Sequence, residues 1–297
     1  MQGSLRGNAG PRYRHVADES APYETITIDK LTPIIGAEIA GVDLSKPLSN
    51  RQQDEIHRAL AENLVIFFRD QHITQDQHLA FGRLFGDLHT HPAAPSEPGK
   101  PELMIIHADK DSPRANGEGW HTDVSCDVEP PMGSILYIKK CPPKGGDTLF
   151  ANMYRAYETL SEPIKKTLAG LTALHDSSKA HYYRAKATDR DAMKFPNAEH
   201  PIVRTHPVTG KQGLYVNRGF TLRIPQLRRN ESDALLEMLY RHIETPEFQC
   251  RFKWQPNSVA FWDNRCVQHH AMFDYFPNRR YGHRVTVCGD KPFLRVN

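Results

Sequence analysis

Trp120-His121-Thr122-Asp123-Val124 is the stretch on which the reading of this chain turns. Read as a β-strand, it sets residues two apart on one face, so His121 and Asp123 would present an imidazole and a carboxylate side by side. Such a pair can chelate a metal ion, and a third ligand is needed to complete a usable site. Gln268-His269-His270, far downstream, supplies the candidates. Two histidines and one carboxylate, with the other positions open, are the ligand set of non-haem Fe(II) oxygenases. Alone, the His-x-Asp pair is a weak signal, because 16 His and 35 acidic residues produce such triplets by chance. A solvated strand is the plainer account of any one of them.

The rest of the chain bounds the reading. A length of 297 residues fits a single β-rich barrel with helical decoration, or two small domains. Hydrophobic residues at 39% and charged residues at 25% are ordinary for a soluble globular protein, and no apolar run approaches the roughly 18 residues of a membrane span. The net charge of +3 is spread over both signs, which gives no electrostatic case for nucleic acid or a membrane surface as partner. Cys126, Cys141, Cys250, Cys266 and Cys288 are odd in number and lack CxxC spacing. That usage implies a reducing, cytoplasmic setting. Residues 1–22 carry Arg6, Arg12 and Arg14 among Gly, Ser and Asn without an apolar stretch. They read as a disordered tail, with a transit peptide as the alternative, ahead of a single domain over 23–297.

From Tyr23 onward the local signals alternate between strand and helix. Thr25 to Ile28 and Ala37 to Val42 read as short strands. Ser49 with Gln52 and Thr74 with Gln77 are capping boxes that open two helices, and Leu64 to Phe68 between them is a buried strand. His89 to Lys100 reads as a loop, and Asp109 to Gly119 as a connection that could close over the metal pair. Further strands are predicted near Leu103 to Ile106, Ser134 to Lys139, Thr148 to Phe150, Phe248 to Trp254, Ser258 to Trp262 and His283 to Cys288. A hairpin turns at Pro207 to Gly210, and Leu235 to Ile243 mark an amphipathic helix. His175 to His200, with its poor apolar pattern, reads as an insertion. Paired helices and a hydrophobic strand edge suggest a homo-oligomer, a dimer or tetramer.

Two arginines follow His269. Arg280 and Arg284 lie in or beside the last predicted strand, and a guanidinium beside an iron site offers a planar fork for a carboxylate. Thr148 is ambiguous, since a strand threonine is often only a good β-former. Together with Phe85-Gly86-Asp87-Leu88-His89-Thr90-His91-Pro92, Gly145-Gly146-Asp147-Thr148-Leu149, Trp262-Asp263-Asn264-Arg265 and Gly289-Asp290-Lys291-Pro292-Phe293, these residues resemble the taurine dioxygenase family of Fe(II)- and 2-oxoglutarate-dependent oxygenases. The motifs fall in the family's order from about Tyr23 to Phe293.

The resemblance implies a mainly β fold with flanking helices, a double-stranded β-helix or jelly-roll barrel. It implies that His121, Asp123 and His269 bind Fe(II), with His270 set aside. Thr148 and Arg280 would hold the distal carboxylate of 2-oxoglutarate, dioxygen would be the second cosubstrate, and His91, Val124 and Arg284 would face the primary substrate. That substrate would be small and anionic, such as a sulfonate like taurine, a sulfate ester or a carboxylate. Its hydroxylation would yield succinate and carbon dioxide, often with C–S or C–O cleavage. Ala94 stands where taurine-specific members carry an aromatic residue, the region of His181 lacks a second aromatic wall, and Asn116 is offset by one from the family's asparagine. A zinc-type hydrolase on the same ligand set, and a catalytically silent ligand-binding barrel, are the competing readings.

Overall fold

The computed structural model describes residues 21–92, 94–112, 117–179 and 195–295. An inner strand of its main sheet is the apolar run noted above. In β3 (Val65–Phe68) all four side chains are buried. Ile66 and Phe68 pack to one side of the sheet, Val65 and Phe67 to the other. Burial on both faces removes the usual alternation from the sequence. β3 lies between β2 (Ala37–Ala40), a parallel neighbour, and β14 (Ser258–Asp263). The sheet continues through β6 (Gly133–Lys140), β16 (Arg280–Val287) and β5 (Lys100–Ala108) to β4 (Ser96–Glu97), with β1 (Thr27–Lys30) outside β2.

Helices cover the outer face. α1 (Asn50–Asn63) and α2 (Gln75–Arg83) both start at formed capping boxes, on Ser49 with Gln52 and on Thr74 with Gln77. Each such cap contributes about 1 kcal/mol. Ile56, Ala59, Leu60 and Phe81 press onto Ile66, Phe68, Ile135, Val259 and Phe261. On the inner face lies a second sheet, with β7 (Thr148–Asn152) between β13 (Gln249–Phe252) and β15 (Val267–Ala271). Phe150, Phe252 and Val267 meet Phe67, Leu136 and Trp262 across the interior, and Phe67 stacks on Phe252 with centroids 3.9 Å apart. The two sheets enclose the barrel in which the site is built.

A third region packs beside the barrel. It holds α3 (Met153–Glu158), α4 (Glu162–Leu168), α5 (Arg229–Ile243) and the hairpin of β10 (Val203–Thr205) with β11 (Gln212–Leu214). β8 (Thr172–Asp176) pairs with β9 (Asn197–Pro201) and with β12 (Thr221–Arg223). No helix among the described residues is long and apolar enough to cross a membrane.

Three expectations change. The first strand starts at Thr27 rather than Thr25. The stretch 175–200 is not wholly an insertion, because its two ends are strands that pair from Thr172 with Pro201 to Asp176 with Asn197. Their inward positions are Ala173, His175, Ala198 and His200, and buried histidines made the pattern look polar. The middle of that stretch, including His181, Tyr182 and Tyr183, lies outside the described residues, as do Asn116 and all but the last two positions of the tail expected over 1–22. Finally, Trp120 to Val124 is not a strand. Only His121 makes a bridge, and the chain then turns through Asp123 to Cys126 with Val124 at φ +47°.

Buried histidines carry a consequence for stability. His78, with Nε2 at 3.1 Å from the Ile135 carbonyl oxygen, is pushed by burial from 6.5 down to about 3. Burial, helped by neighbouring His200, does the same to His175. Both fold neutral, so their contribution is complete above the unfolded value near 6.5 and is lost as pH falls below it. At pH 5 each costs about 2 kcal/mol relative to neutral pH. The urea midpoint should therefore drop between pH 7.5 and pH 5, and the drop should shrink by about 2 kcal/mol in His78→Asn. An undiminished drop in that variant would show that His78 does not titrate with unfolding.

Candidate active site

The two imidazoles meet at a single backbone bridge. His121 N–H donates to the His269 carbonyl at 3.1 Å and His269 N–H to the His121 carbonyl at 2.9 Å. Directly opposed residues project to one side, and the ring centroids are 4.2 Å apart. His270, one residue on, faces away towards Trp120. Asp123 enters from the turn rather than from a strand position. Its Oδ1 lies 3.7 Å from His121 Nε2 and 4.0 Å from His269 Nε2. The left-handed backbone of Val124 is costly for a β-branched residue, and its side chain is held against Cys126 and Phe220.

Tautomers and charges suit metal ligation. His121 Nδ1–H donates to the Gly119 carbonyl at 2.9 Å, which leaves the Nε2 lone pair facing Asp123. Burial lowers the pKa of both imidazoles, most strongly for His269, so each is neutral. Burial would raise the Asp123 pKa, but the Arg284 guanidinium and the Ser134 hydroxyl oppose it, and the carboxyl is held well below its usual range. One ligand atom from each of His121, Asp123 and His269 lies within 4.8 Å of the others. Gly219 closes one side. A Cβ there would stand 2.7 Å from His121 Cβ, so only glycine leaves His121 its place.

A second buried group, His206, Asp263 and Cys266, has similar spacing but is already saturated. Arg265 grips both Asp263 oxygens at 2.8 and 2.6 Å. His206 Nδ1 accepts from the Val208 and Thr209 amides, so its Nε2–H must donate to Asp263. This is an ion-pair lock on the hairpin.

Thr148 and Arg280 are linked by Trp254, expected from the sequence only as the last residue of a strand that in the structure ends at Phe252. Trp254 Nε1–H donates to Thr148 Oγ1 at 2.9 Å, and the Arg280 guanidinium lies 5.3 Å from the Trp254 ring centroid. Arg280 is 4% exposed, and its Nε and Nη2 have no hydrogen-bond partner. Among the described residues no carboxylate pairs with it within 4 Å. A buried guanidinium with two unpartnered nitrogens has donors to offer a ligand carboxylate.

Arg284 was expected to await an anion, yet its Nη1 donates to Asp123 Oδ1 at 2.6 Å, while Nε has no partner. His91 Nδ1 accepts from the Ala94 amide at 2.9 Å, so the ring proton sits on Nε2. Burial, with Arg284 close by, lowers His91 to about 4. His91 is thus a neutral donor, and Arg284 carries the positive charge.

Residues 27–286 match the model of the "Taurine catabolism dioxygenase TauD, TfdA family". The chain belongs to this family. TauD/TfdA members similar to it include an alpha-ketoglutarate-dependent sulfonate dioxygenase of Saccharomyces cerevisiae, 37% identical over 281 residues, covering 90% of this chain and 68% of the relative. An alpha-ketoglutarate-dependent sulfate ester dioxygenase of Pseudomonas putida is 36% identical over 270 residues, covering 87% and 88%. Among solved structures, a taurine dioxygenase from Burkholderia xenovorans superposes with a TM-score of 0.79 at 39% identity, covering 91% of each chain. This TauD/TfdA chain is therefore an oxidoreductase of the 2-oxoglutarate-dependent dioxygenase class, with the double-stranded β-helix fold and a metal site.

Proposed function

We propose that the chain uses Fe(II) held by His121, Asp123 and His269, binds 2-oxoglutarate through Thr148 and Arg280, and hydroxylates an organic sulfate ester or sulfonate bearing an apolar tail. The observation that carries the cosubstrate reading is Arg280, a buried guanidinium with two unpartnered nitrogens. A hydrolase on the same three ligands would leave it without a task. Iron, when bound, supplies oxygen activation coupled to decarboxylation of 2-oxoglutarate. The protein's own part is to position and to exclude water. Arg280 and the Thr148 hydroxyl fix one end of the cosubstrate, Arg284 offers charge to the substrate anion, and His91 Nε2–H adds a neutral hydrogen bond. A hydroxyl placed on the carbon that bears a sulfate or sulfonate collapses to an aldehyde with release of sulfate or sulfite.

Support for the apolar tail comes from the cluster of Val124, Cys126, Phe220 and Phe195 that begins one residue after Asp123, and from Ala94, packed against the apolar cluster that includes Met104, Ile106 and Leu136. Neither group offers a partner for an ammonium. Each buried methylene is worth about 0.8 kcal/mol, so kcat/KM should rise roughly fourfold per added CH2 along a series of alkyl sulfates and alkyl sulfonates. The measurement is succinate release coupled to substrate turnover, with taurine as comparator. Taurine exceeding every alkyl substrate would sink the reading.

A further inference from the structure

Trp262-Asp263-Asn264-Arg265 is a motif that the assigned roles leave partly unused, and its Trp and Asn sit directly behind Asp123. We infer that Trp262, Asn264 and Ser134 form a one-way hydrogen-bond relay that fixes Asp123 as a single-oxygen metal ligand, with Ser134 and Asn264 as positioning residues. The inference rests on the metal triad proposed above.

Three bonds make the relay. Trp262 Nε1–H donates to Asn264 Oδ1 at 2.9 Å, Asn264 Nδ2–H to Ser134 Oγ at 3.1 Å, and Ser134 Oγ–H to Asp123 Oδ2 at 2.7 Å. Trp262, Asn264 and Ser134 are each at most 1% exposed. The direction is forced by chemistry. An indole N–H can only donate, so the Asn264 oxygen must face Trp262 and its amide nitrogen must face Ser134. Ser134 accepts that bond and has one hydrogen left, which the carboxylate alone can take. Backbone geometry holds each link, because Ser134 is paired with Trp262 across β6 and β14 and the Asn264 amide donates to the Met132 carbonyl at 2.8 Å.

The relay occupies Oδ2, so Oδ1 is the oxygen turned to both imidazoles. Arg284 anchors Oδ1 at 2.6 Å, so loss of the relay would remove the second anchor and free the carboxylate to turn Oδ2 towards the metal as well. Trp262 also lies against the His269 ring, with centroids 4.6 Å apart. It therefore braces two of the three proposed ligands. Partners of this kind typically govern metal affinity by about 10- to 100-fold.

The test is anaerobic titration of the full chain with Mn(II), a redox-silent probe, read by loss of the free-ion EPR signal, with thermal unfolding followed in parallel. Ser134→Ala should weaken Mn(II) binding by about 10- to 100-fold, and Asn264→Ala by a smaller factor. The double variant should be no weaker than Ser134→Ala, because Asn264 acts through the serine. Ser134→Thr, which keeps the hydroxyl, should bind nearly as wild type does. His269→Ala should lose binding altogether; if it does not, the triad assignment fails rather than the relay. If His269→Ala loses binding while Ser134→Ala and Asn264→Ala bind as wild type does, the relay is overturned, whatever their unfolding temperatures. Should Ser134→Ala not fold, Asn264→Ala and Ser134→Thr decide the matter in the same way.

Discussion

Asp123→Ala is expected to abolish 2-oxoglutarate-dependent succinate formation, by at least about a thousandfold, well beyond the ~10–100-fold cost of losing an outer partner of a ligand. The size follows from how many groups converge on one carboxylate. Both imidazoles face its Oδ1, Arg284 donates to that oxygen, and Ser134 donates to the other. Removing it takes away a proposed metal ligand and strands the buried Arg284 guanidinium. Breaking such a pair costs about 3–5 kcal/mol of stability, so the variant should also melt earlier. Asp123→Asn keeps the shape and should recover part of the stability without the activity. Succinate formation unchanged in folded Asp123→Ala would refute the metal assignment.

The second large effect has opposite signs in two measurements. Arg280→Leu should raise the KM for 2-oxoglutarate by roughly 30- to several-thousand-fold, corresponding to about 2–5 kcal/mol for a desolvated charge pair. The same change should stabilise the ligand-free protein, because it removes a buried cation whose Nε and Nη2 have no acceptor and replaces it with an apolar side chain, a gain of about 1–3 kcal/mol. 2-Oxoglutarate at saturating concentration should then protect the wild type against heat and leave Arg280→Leu unmoved. A variant that loses both stability and cosubstrate binding would place Arg280 among the ordinary packing residues. The contrast illustrates function held at the expense of stability.

What the sequence disclosed depended on whether a signal was local. The capping boxes at Ser49 and Thr74 and the apolar run of β3 were legible because each is satisfied within a few residues. The turn at Asp123 was not. His-Thr-Asp-Val has the composition of a strand, and the left-handed backbone of Val124 accompanies its packing with the distant Phe220, which no local signal announces. β8 and β9 were hidden by histidines at inward positions, whose burial depends on Ser125 and Tyr215 elsewhere in the chain. Ser134 gave no sign of its contact with Asp123, since a serine inside a strand reads as neutral. Trp254 did carry a hint. A buried tryptophan must find an acceptor for its N–H, and the structure supplies it in the Thr148 hydroxyl. The fold and the triad could thus be approached from motifs, while the partners that orient them required the barrel to close.

The bridge between His121 and His269 bears on how this protein is made. Its two residues come from the middle and the last tenth or so of the chain, and two backbone hydrogen bonds tie them together. On the ribosome, the first half would emerge with only two of the three proposed ligands, His121 and Asp123. The third donor arrives only when β15 docks beside β7, a contact of long sequence separation and therefore slow to form. On the proposed triad, metal binding would therefore wait for the barrel to close, and a chain cut short before β15 would be expected to bind the ion more loosely.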